Sequence, residues 1–305
     1  MIRLGIVDFD TSHAIEFTRR INHHGVSSDQ WVDGARVVAG CPGMSNMSPD
    51  RVAQYTPLVA ECGVELVTSP KQLLGHVDAI LILSLCGAAH LNHARLFLEH
   101  QIPCFIDKPF ATTWHDAATM MQLSADHQTL LWHASALRYS DDLTALRART
   151  PQLGDCLGCV SFGPAWHASG NPGLLHYGIH ATELLYALLG PGCQQVTMTS
   201  TENVDVVTGI WNDGRIGTLR GLRHGCTVYG VTLFTERATV PQWISTRNAY
   251  RNLCRQIVGS FQHRQAPVPP QETLEVIRFL LAAHESFRCG GVPVDLASVP
   301  QFPSS

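Results

Sequence analysis

Along its first half the chain alternates short apolar runs with stretches of helical spacing. GIVDFDTSH (5 to 13) followed by AIEFTRRI predicts strand, tight turn and helix. ARVVAGCPG is a β-branched run ending in Pro-Gly, and PDRVAQYTPLVAECG has helical spacing. VELVTS predicts a short strand and PKQLLGHV a short helix. VDAILILSL is apolar without interruption, as a strand buried on both faces must be. AAHLNHARLFLEHQ, PCFIDKP, TTWHDAATMMQLSADHQ and TLLWHASAL continue the alternation as helix, strand, helix and strand. Such an order predicts an α/β, doubly wound parallel sheet with right-handed crossovers. Ligands of these sheets sit beyond the carboxyl ends of the strands. The 8 to 13 turn and the loops at 41 to 46, 84 to 90 and 107 to 110 are thereby expected around one crevice.

From about residue 139 the pattern changes. One long helix candidate, LLHYGIHATELLYALLG, precedes the strand-like runs QQVTMTST, VDVVTGIWNDG, RIGTLRGLR and CTVYGVTLF. The NDG between two of them is a hairpin signal. VPPQETLEVIRFLLAAHESFRCGG predicts a late helix with Pro before it and Gly-Gly after it, and the tail VPQFPSS is expected to be loose. The chain thus divides into an α/β domain over 1–138 and an α+β domain over 139–305, the latter with a mostly antiparallel sheet. Regular alternation puts Trp211, Leu219 and Tyr229 on that sheet's outer face. A flat apolar face calls for a partner, simplest as a second copy in a homodimer or homotetramer.

Bulk composition narrows the function classes. With 305 residues, 45% hydrophobic, 15% charged and a formal net charge of −4, the chain suits two ordinary globular cores. That charge provides no footprint for nucleic acid or an anionic membrane, and AILILSL is too short to span a bilayer. The opening MIRLGIV reads as a first strand, so the cytoplasm is the expected compartment and a small molecule the expected partner. Ten cysteines are scattered, with one close pair in DCLGC (Cys156 and Cys159), and read as small hydrophobes in strands and helices.

Taken together, the nucleotide-type first half, FIDKPF, and a G-x-H helix followed by LLGPG resemble the glucose-fructose oxidoreductase, inositol dehydrogenase and MocA family. The resemblance runs from Ile2 to about Leu296. Asp107-Lys108-Pro109 looks like the family's E-K-P, and GLLHYGIHATELLYALLG is similar to its G-x-L-x-D-x-G-x-H-x-x-D helix. It implies a Rossmann-type first domain, NAD or NADP as cofactor, and oxidation or reduction of a sugar, inositol or related polyol. It further implies a catalytic set of Lys108, His180 and His176. Cofactor contacts fall on Asp8, Asp10, Thr11, Ser12, His13, Gly43, Ser45, Ser84, His90, Asp107, Lys108 and Pro109. Tyr177, His167 and Glu183 are expected on the substrate side, and no metal is assigned.

Departures from the family pattern are concentrated in one turn. Asp8, Asp10 and His13 stand where its three glycines would be, Pro42 where its acidic residue after the second strand would be, and His176 and Glu183 where its two helix aspartates would be. A carboxylate a few ångströms from pyrophosphate is repulsive by about 4 kcal/mol per charge pair at a surface-like dielectric. Asp8 and Asp10 are therefore expected to turn away while the N–H groups of Thr11, Ser12 and His13 cradle phosphate. Two other arrangements satisfy the same constraint: the turn holds a different ligand such as a cation, or the aspartates are buried and hydrogen-bonded. Asp10 also has the makings of a helix N-cap.

Lysine at a strand's carboxyl end, partly desolvated, can have its pKa lowered enough to exchange a hydroxyl proton near neutral pH. His176 and His180, four apart, are expected on one helical face, with imidazole relaying protons in place of a fixed carboxylate. A catalytically silent member binding a metabolite or partner is the alternative. A metal enzyme using His167, His176, His180 and Glu183 is a third reading.

Overall fold

A computed structural model describes residues 1–299; the rest of the tail expected to be loose, 300–305, lies outside them. The opening run forms β1 (Ile2–Val7), followed by α1 (His13–Ile21), β2 (Ala35–Cys41), α2 (Pro49–Glu61) and β3 (Glu65–Leu66). Next come β4 (Ala79–Ile82), α3 (His90–Glu99), β5 (Cys104–Ile106), α4 (Trp114–Asp126) and β6 (Leu131–His133). All six strands pair in parallel in the order β3-β2-β1-β4-β5-β6, the doubly wound arrangement expected. The side chains of Ile6, Ile80, Leu81 and Phe105 are fully buried, which is why these runs carry no polar alternation. PKQLLGHV makes only a 3₁₀ turn over Pro70–Leu73, because Leu74 is already extended and Gly75 adopts φ +79°.

The second half begins with α5 (Asp141–Arg149), whose first turn is capped by Ser140 Oγ accepting from Leu143 N–H. β7 (Cys156–Pro164), α6 (Gly178–Leu189), β8 (Cys193–Ser200), β9 (Val204–Trp211), β10 (Ile216–Leu222), β11 (Tyr229–Thr235) and β12 (Thr239–Ile244) follow. α7 (Ala249–His263), α8 (Pro270–Arg288) and β13 (Val294–Asp295) complete the described chain. The seven strands run β12-β11-β7-β10-β9-β8-β13, and every pairing is antiparallel except β7 with β10. The NDG hairpin forms as expected between β9 and β10.

Two compact units result, and the division is not a single cut. The first comprises Met1–Ala111, Asp116–Ala134 and Tyr250–Pro270; the second comprises Thr112–His115, Ser135–Ala249 and residues from Gln271 onward. The return of the chain to the first unit is anchored by Tyr250, whose ring lies under the Arg20 guanidinium and edge-on to His13. Arg251 adds a hydrogen bond to the Asp29 carbonyl.

The phase expected for the second sheet is reversed by one residue. Trp211 and Leu219 are 1% and 0% exposed and belong to the inner face, where Trp211 packs with Tyr186 and Phe279. Glycines make room for them: a Cβ on Gly209 would come within 2.8 Å of Phe279, and one on Gly217 within 2.7 Å of Leu189 and Trp211. The outer face instead carries Ile210 and Ile216, directly paired, with Phe234 two strands further along the same row. Trp243, 67% exposed, packs edge-on to Phe162 on that side.

Candidate functional site

At the carboxyl end of β1 the chain turns through Asp8 at φ +67°, the left-handed backbone that a glycine would adopt without strain and that aspartate tolerates. Its Oδ2 accepts from Ser84 Oγ at 2.5 Å, beyond the end of β4, and lies 3.1 Å from His93 Nε2 on α3. Its Oδ1 lies against Gly43 past the end of β2, where a Cβ would be only 1.9 Å away; Gly43 itself has φ +69°. Asp10 Oδ1 accepts from Leu85 N–H at 2.8 Å, and a second hydrogen bond comes from the side chain of Ser45. Ser45 Oγ in turn accepts from the N–H groups of Met47 and Ser48 at the start of α2. Burial raises the Asp10 pKa against the lowering effect of these hydrogen bonds.

The loops expected around one crevice are thus joined by two buried carboxylates. Both aspartates are buried and hydrogen-bonded, which is the last of the three arrangements that the sequence admits. Asp10 does not cap α1: Ser12 holds that position without a side-chain cap, and Asp10 is held by Leu85 and Ser45 instead. Among the described residues, the N–H groups of Thr11 and Ser12 make no hydrogen bond, while His13 N–H reaches Thr11 Oγ1 at 3.5 Å.

His13 reaches from the first turn of α1 to the end of β5, where its Nδ1 lies 2.6 Å from Asp107 Oδ2. The imidazole stacks on Phe17 at 4.8 Å. Burial pushes the Asp107 pKa up, but His13, Lys108 and their hydrogen bonds outweigh it and hold the carboxyl at about 2. The other oxygen of Asp107 is buried without a hydrogen bond. Lys108, 5% exposed, follows at once, joined to Pro109 by a cis peptide. Its pKa is lowered, chiefly by burial and also by Arg51, with Asp107 and Asp10 pulling the other way. A lysine so placed can exchange a proton nearer neutral pH than a solvated one.

His90 is fully buried and is not open to a ligand. Its Nε2 lies 2.9 Å from Ser84 O and its Nδ1 3.1 Å from Phe110 O, so the ring ties the loop after β4 to the segment after β5.

The second unit holds His167, His176 and His180. His180, in the first turn of α6, places Nδ1 2.7 Å from Ser135 Oγ and lies edge-on to Tyr177 and Tyr229. His176 is not on the helix with it. It ends the 3₁₀ turn Gly173–Leu175, and Tyr177 at φ −121° separates it from α6. Its Nδ1 lies 3.3 Å from Asn171 Nδ2, and its ring meets Tyr177 edge-on. His167 Nε2 lies 3.3 Å from the buried carboxylate of Asp205, which also pairs with Arg223.

Glu183 leaves the substrate set. It is 1% exposed, and its carboxylate accepts from Arg138 Nε at 2.5 Å. Arg138 also lies 2.6 Å from Glu272, making a buried arginine between two carboxylates. Among the described residues no three His, Cys, Asp or Glu side chains converge as a metal site would require. Cys156 and Cys159 are unpaired thiols, and burial pushes that of Cys159 upward.

Ser135, Arg138, His93 and Tyr250 escaped sequence reasoning. Each acts on a partner far along the chain, and only Ser135-x-x-Arg138, ahead of the α6 pattern, could have drawn notice.

The six-stranded parallel sheet of the first unit, with helices between its strands, is of the Rossmann type. Residues 44–135 match the family model described as oxidoreductase family, NAD-binding Rossmann fold, known as GFO_IDH_MocA. The matched segment lies almost entirely within the first unit, and the match begins after the Asp8 to His13 turn. Scyllo-inositol dehydrogenase from Lactobacillus casei, solved with NAD(H) and scyllo-inositol, shares the fold at 16% identity and a TM-score of 0.80, over 98% of this chain and 100% of that one. Myo-inositol 2-dehydrogenase from Lactobacillus plantarum shares it at 16% identity and a TM-score of 0.79, over 96% and 99%. No curated protein matches by sequence.

The residues of the first unit fit a dinucleotide at three points. Two amides without partners open α1, Asp8 Oδ1 accepts no hydrogen bond from a described residue, and Lys108 stands at the end of β5 beside the unbonded oxygen of Asp107. No helix of the described chain is long and apolar enough to cross a membrane.

Proposed function

We propose that this chain is an NAD(P)-dependent oxidoreductase acting on a carbinol carbon of a sugar-like, cyclitol-like or related polyol. The observation that carries the reading is Lys108: a buried lysine with a lowered pKa, at the carboxyl end of a parallel strand, inside the segment that matches the family. When bound, the nicotinamide accepts or supplies the hydride. Lys108 holds the hydroxyl proton or returns it, and partial desolvation brings its pKa toward the range where it can do both. In the second unit, His180, whose Nδ1 lies 2.7 Å from Ser135 Oγ, is the residue proposed to bind the substrate hydroxyl. Tyr177, His176 and His167, the last 45% exposed at its side chain, are the substrate-side residues proposed in the same unit. Phosphate is held by the Thr11 and Ser12 amides, supported by the N-terminal end of α1.

Assembly is part of the same proposal. The outer face of the seven-stranded sheet, with Ile210, Ile216, Phe234 and Trp243, is covered by a second copy in a homodimer or a dimer of dimers.

A panel of inositols, aldoses and alditols with NAD and NADP tests the reading. Lys108→Ala should lower kcat on any active substrate by about 10²–10⁴-fold while leaving cofactor affinity within a few-fold. Turnover that survives this change removes Lys108 as the acid–base group. The silent-member alternative is favoured by one observation, the carboxylates that replace the turn glycines. It requires that no polyol on the panel reduces or oxidises either cofactor.

A further inference from the structure

Doubly wound sheets grip the adenosine ribose with a carboxylate at the end of the second strand. Here that position is Pro42, and the loop from Gly43 to Ser48 has no acidic side chain. A carboxylate nevertheless stands at this loop. It comes from the neighbouring strand: Asp8, at the left-handed end of β1, lies so close to Gly43 that any Cβ there would collide with Oδ1 at 1.9 Å. Its other oxygen is fixed from the opposite side by Ser84 and His93. Oδ1 accepts no hydrogen bond from a described residue, and since Asp8 as a whole is 7% exposed, its carboxylate is held in place and not a solvated surface charge. The loop's own means of welcoming a further phosphate is reduced, because the Ser45 side chain is engaged with Asp10 and with the amides of Met47 and Ser48.

We propose that Asp8 is the cofactor-selecting residue of this chain: from β1 it replaces the missing second-strand carboxylate, accepts the adenosine ribose hydroxyls on Oδ1, and excludes a 2′-phosphate. The inference rests on the functional reading above, and it decides between NAD and NADP, which the sequence leaves open. A hydroxyl can donate to a carboxylate that has a free oxygen. A phosphate dianion at the same place meets a negative charge that is held rigid and partly desolvated, where Coulomb repulsion is weakly screened. Arg51, exposed at the start of α2, is a cation near enough to Lys108 to lower its pKa, and it is the residue that would favour NADP if Asp8 were neutral.

The test is cofactor affinity, measured by calorimetry for NAD and NADP and by nicotinamide fluorescence for the reduced forms, without substrate. The wild-type protein should bind NAD(H) at least about 100-fold more tightly than NADP(H), the scale of one close charge–charge contact. Asp8→Asn keeps the shape and tolerates the left-handed backbone; it should bring that ratio below about tenfold, mostly by strengthening NADP binding. Asp8→Gly restores the residue for which this φ is unstrained and should narrow the ratio as well, so the inference survives misfolding of either variant alone. Equal affinity for NAD and NADP in the wild type overturns it, as does an unchanged ratio in the variants. Indiscriminate binding leaves the oxidoreductase reading intact and removes Asp8 alone. Absence of binding to all four cofactor forms overturns both.

Discussion

The turn after β1 and the start of α6 are both sites with departures from the family's residues, yet the two regions solve different problems. In the first unit the substituted residues are all buried and all bonded across strand ends: Asp8 to Ser84, Asp10 to Leu85, His13 to Asp107. In the second, His176 simply falls outside the helix, while Glu183 finds Arg138. Glycines replaced by charges must bring partners with them, because a buried unpaired charge costs several kcal/mol. The histidine that replaces an aspartate sits in a half-open turn, where it meets its near neighbours Asn171 and Tyr177. The β1 turn therefore behaves as a rebuilt site and the α6 entrance as a lightly edited one.

That contrast can be broken at its strongest point first. Arg138 balances Glu183 and Glu272, both buried. Arg138→Ala should cost about 3–5 kcal/mol in denaturant unfolding, since it strands two carboxylates. A loss below about 1 kcal/mol would mean that the triad is solvated and that Glu183 needs no partner.

Acid stability examines the rebuilt turn. The folded-state pKa of Asp107, held at about 2, lies below its ordinary unfolded value. Its ionised form thus stabilises the fold above pH about 4, and that contribution, about 2 kcal/mol, is lost as the pH falls from about 4 toward 2. His13→Ala should remove most of this acid-side slope and lower stability at pH 7. An unchanged slope would assign the depression to Lys108 alone.

Smaller effects distinguish positioning from architecture. Ser135→Ala removes the hydrogen bond that orients His180 and should cost about 1 kcal/mol, read as a several-fold loss in kcat with an altered pH profile, while Ser135→Thr should restore both. Ile216→Glu, on the outer face of the sheet, should change stability by no more than about 0.5 kcal/mol yet give a monomer in light scattering where the wild type, under the proposed assembly, gives a dimer or larger. Leu219→Glu, on the inner face, should unfold the second unit instead.

Most of the architecture was legible because both sheets repeat simple periods. The all-apolar runs at 79 to 85 and 104 to 106 and the NDG hairpin each report a purely local cause. The phase of β9 and β10 was not legible, since the inner face alternates Gly209, Gly217 and Gly221 with Trp211 and Leu219 and also buries Asp205. To a count of hydrophobic positions, that face looks the more polar. Lys108 was expected at a strand's carboxyl end and partly desolvated, and its position just after β5 and its burial were legible for that local reason. The candidate site was misread where a residue's role depends on a distant partner: Glu183 on Arg138, His90 on the carbonyls of Ser84 and Phe110. Sequence spacing carries no information about such pairs.

Titration of NADH into the dialysed protein, followed by its fluorescence, asks whether the rebuilt turn still serves a dinucleotide. Saturable binding with a Kd below about 1 mM, weakened when the approach to the Thr11 and Ser12 amides is blocked by Ser12→Pro, is the expected result. No saturation by NAD, NADH, NADP or NADPH at millimolar concentration would contradict it and leave the first unit as a Rossmann fold holding something other than a dinucleotide.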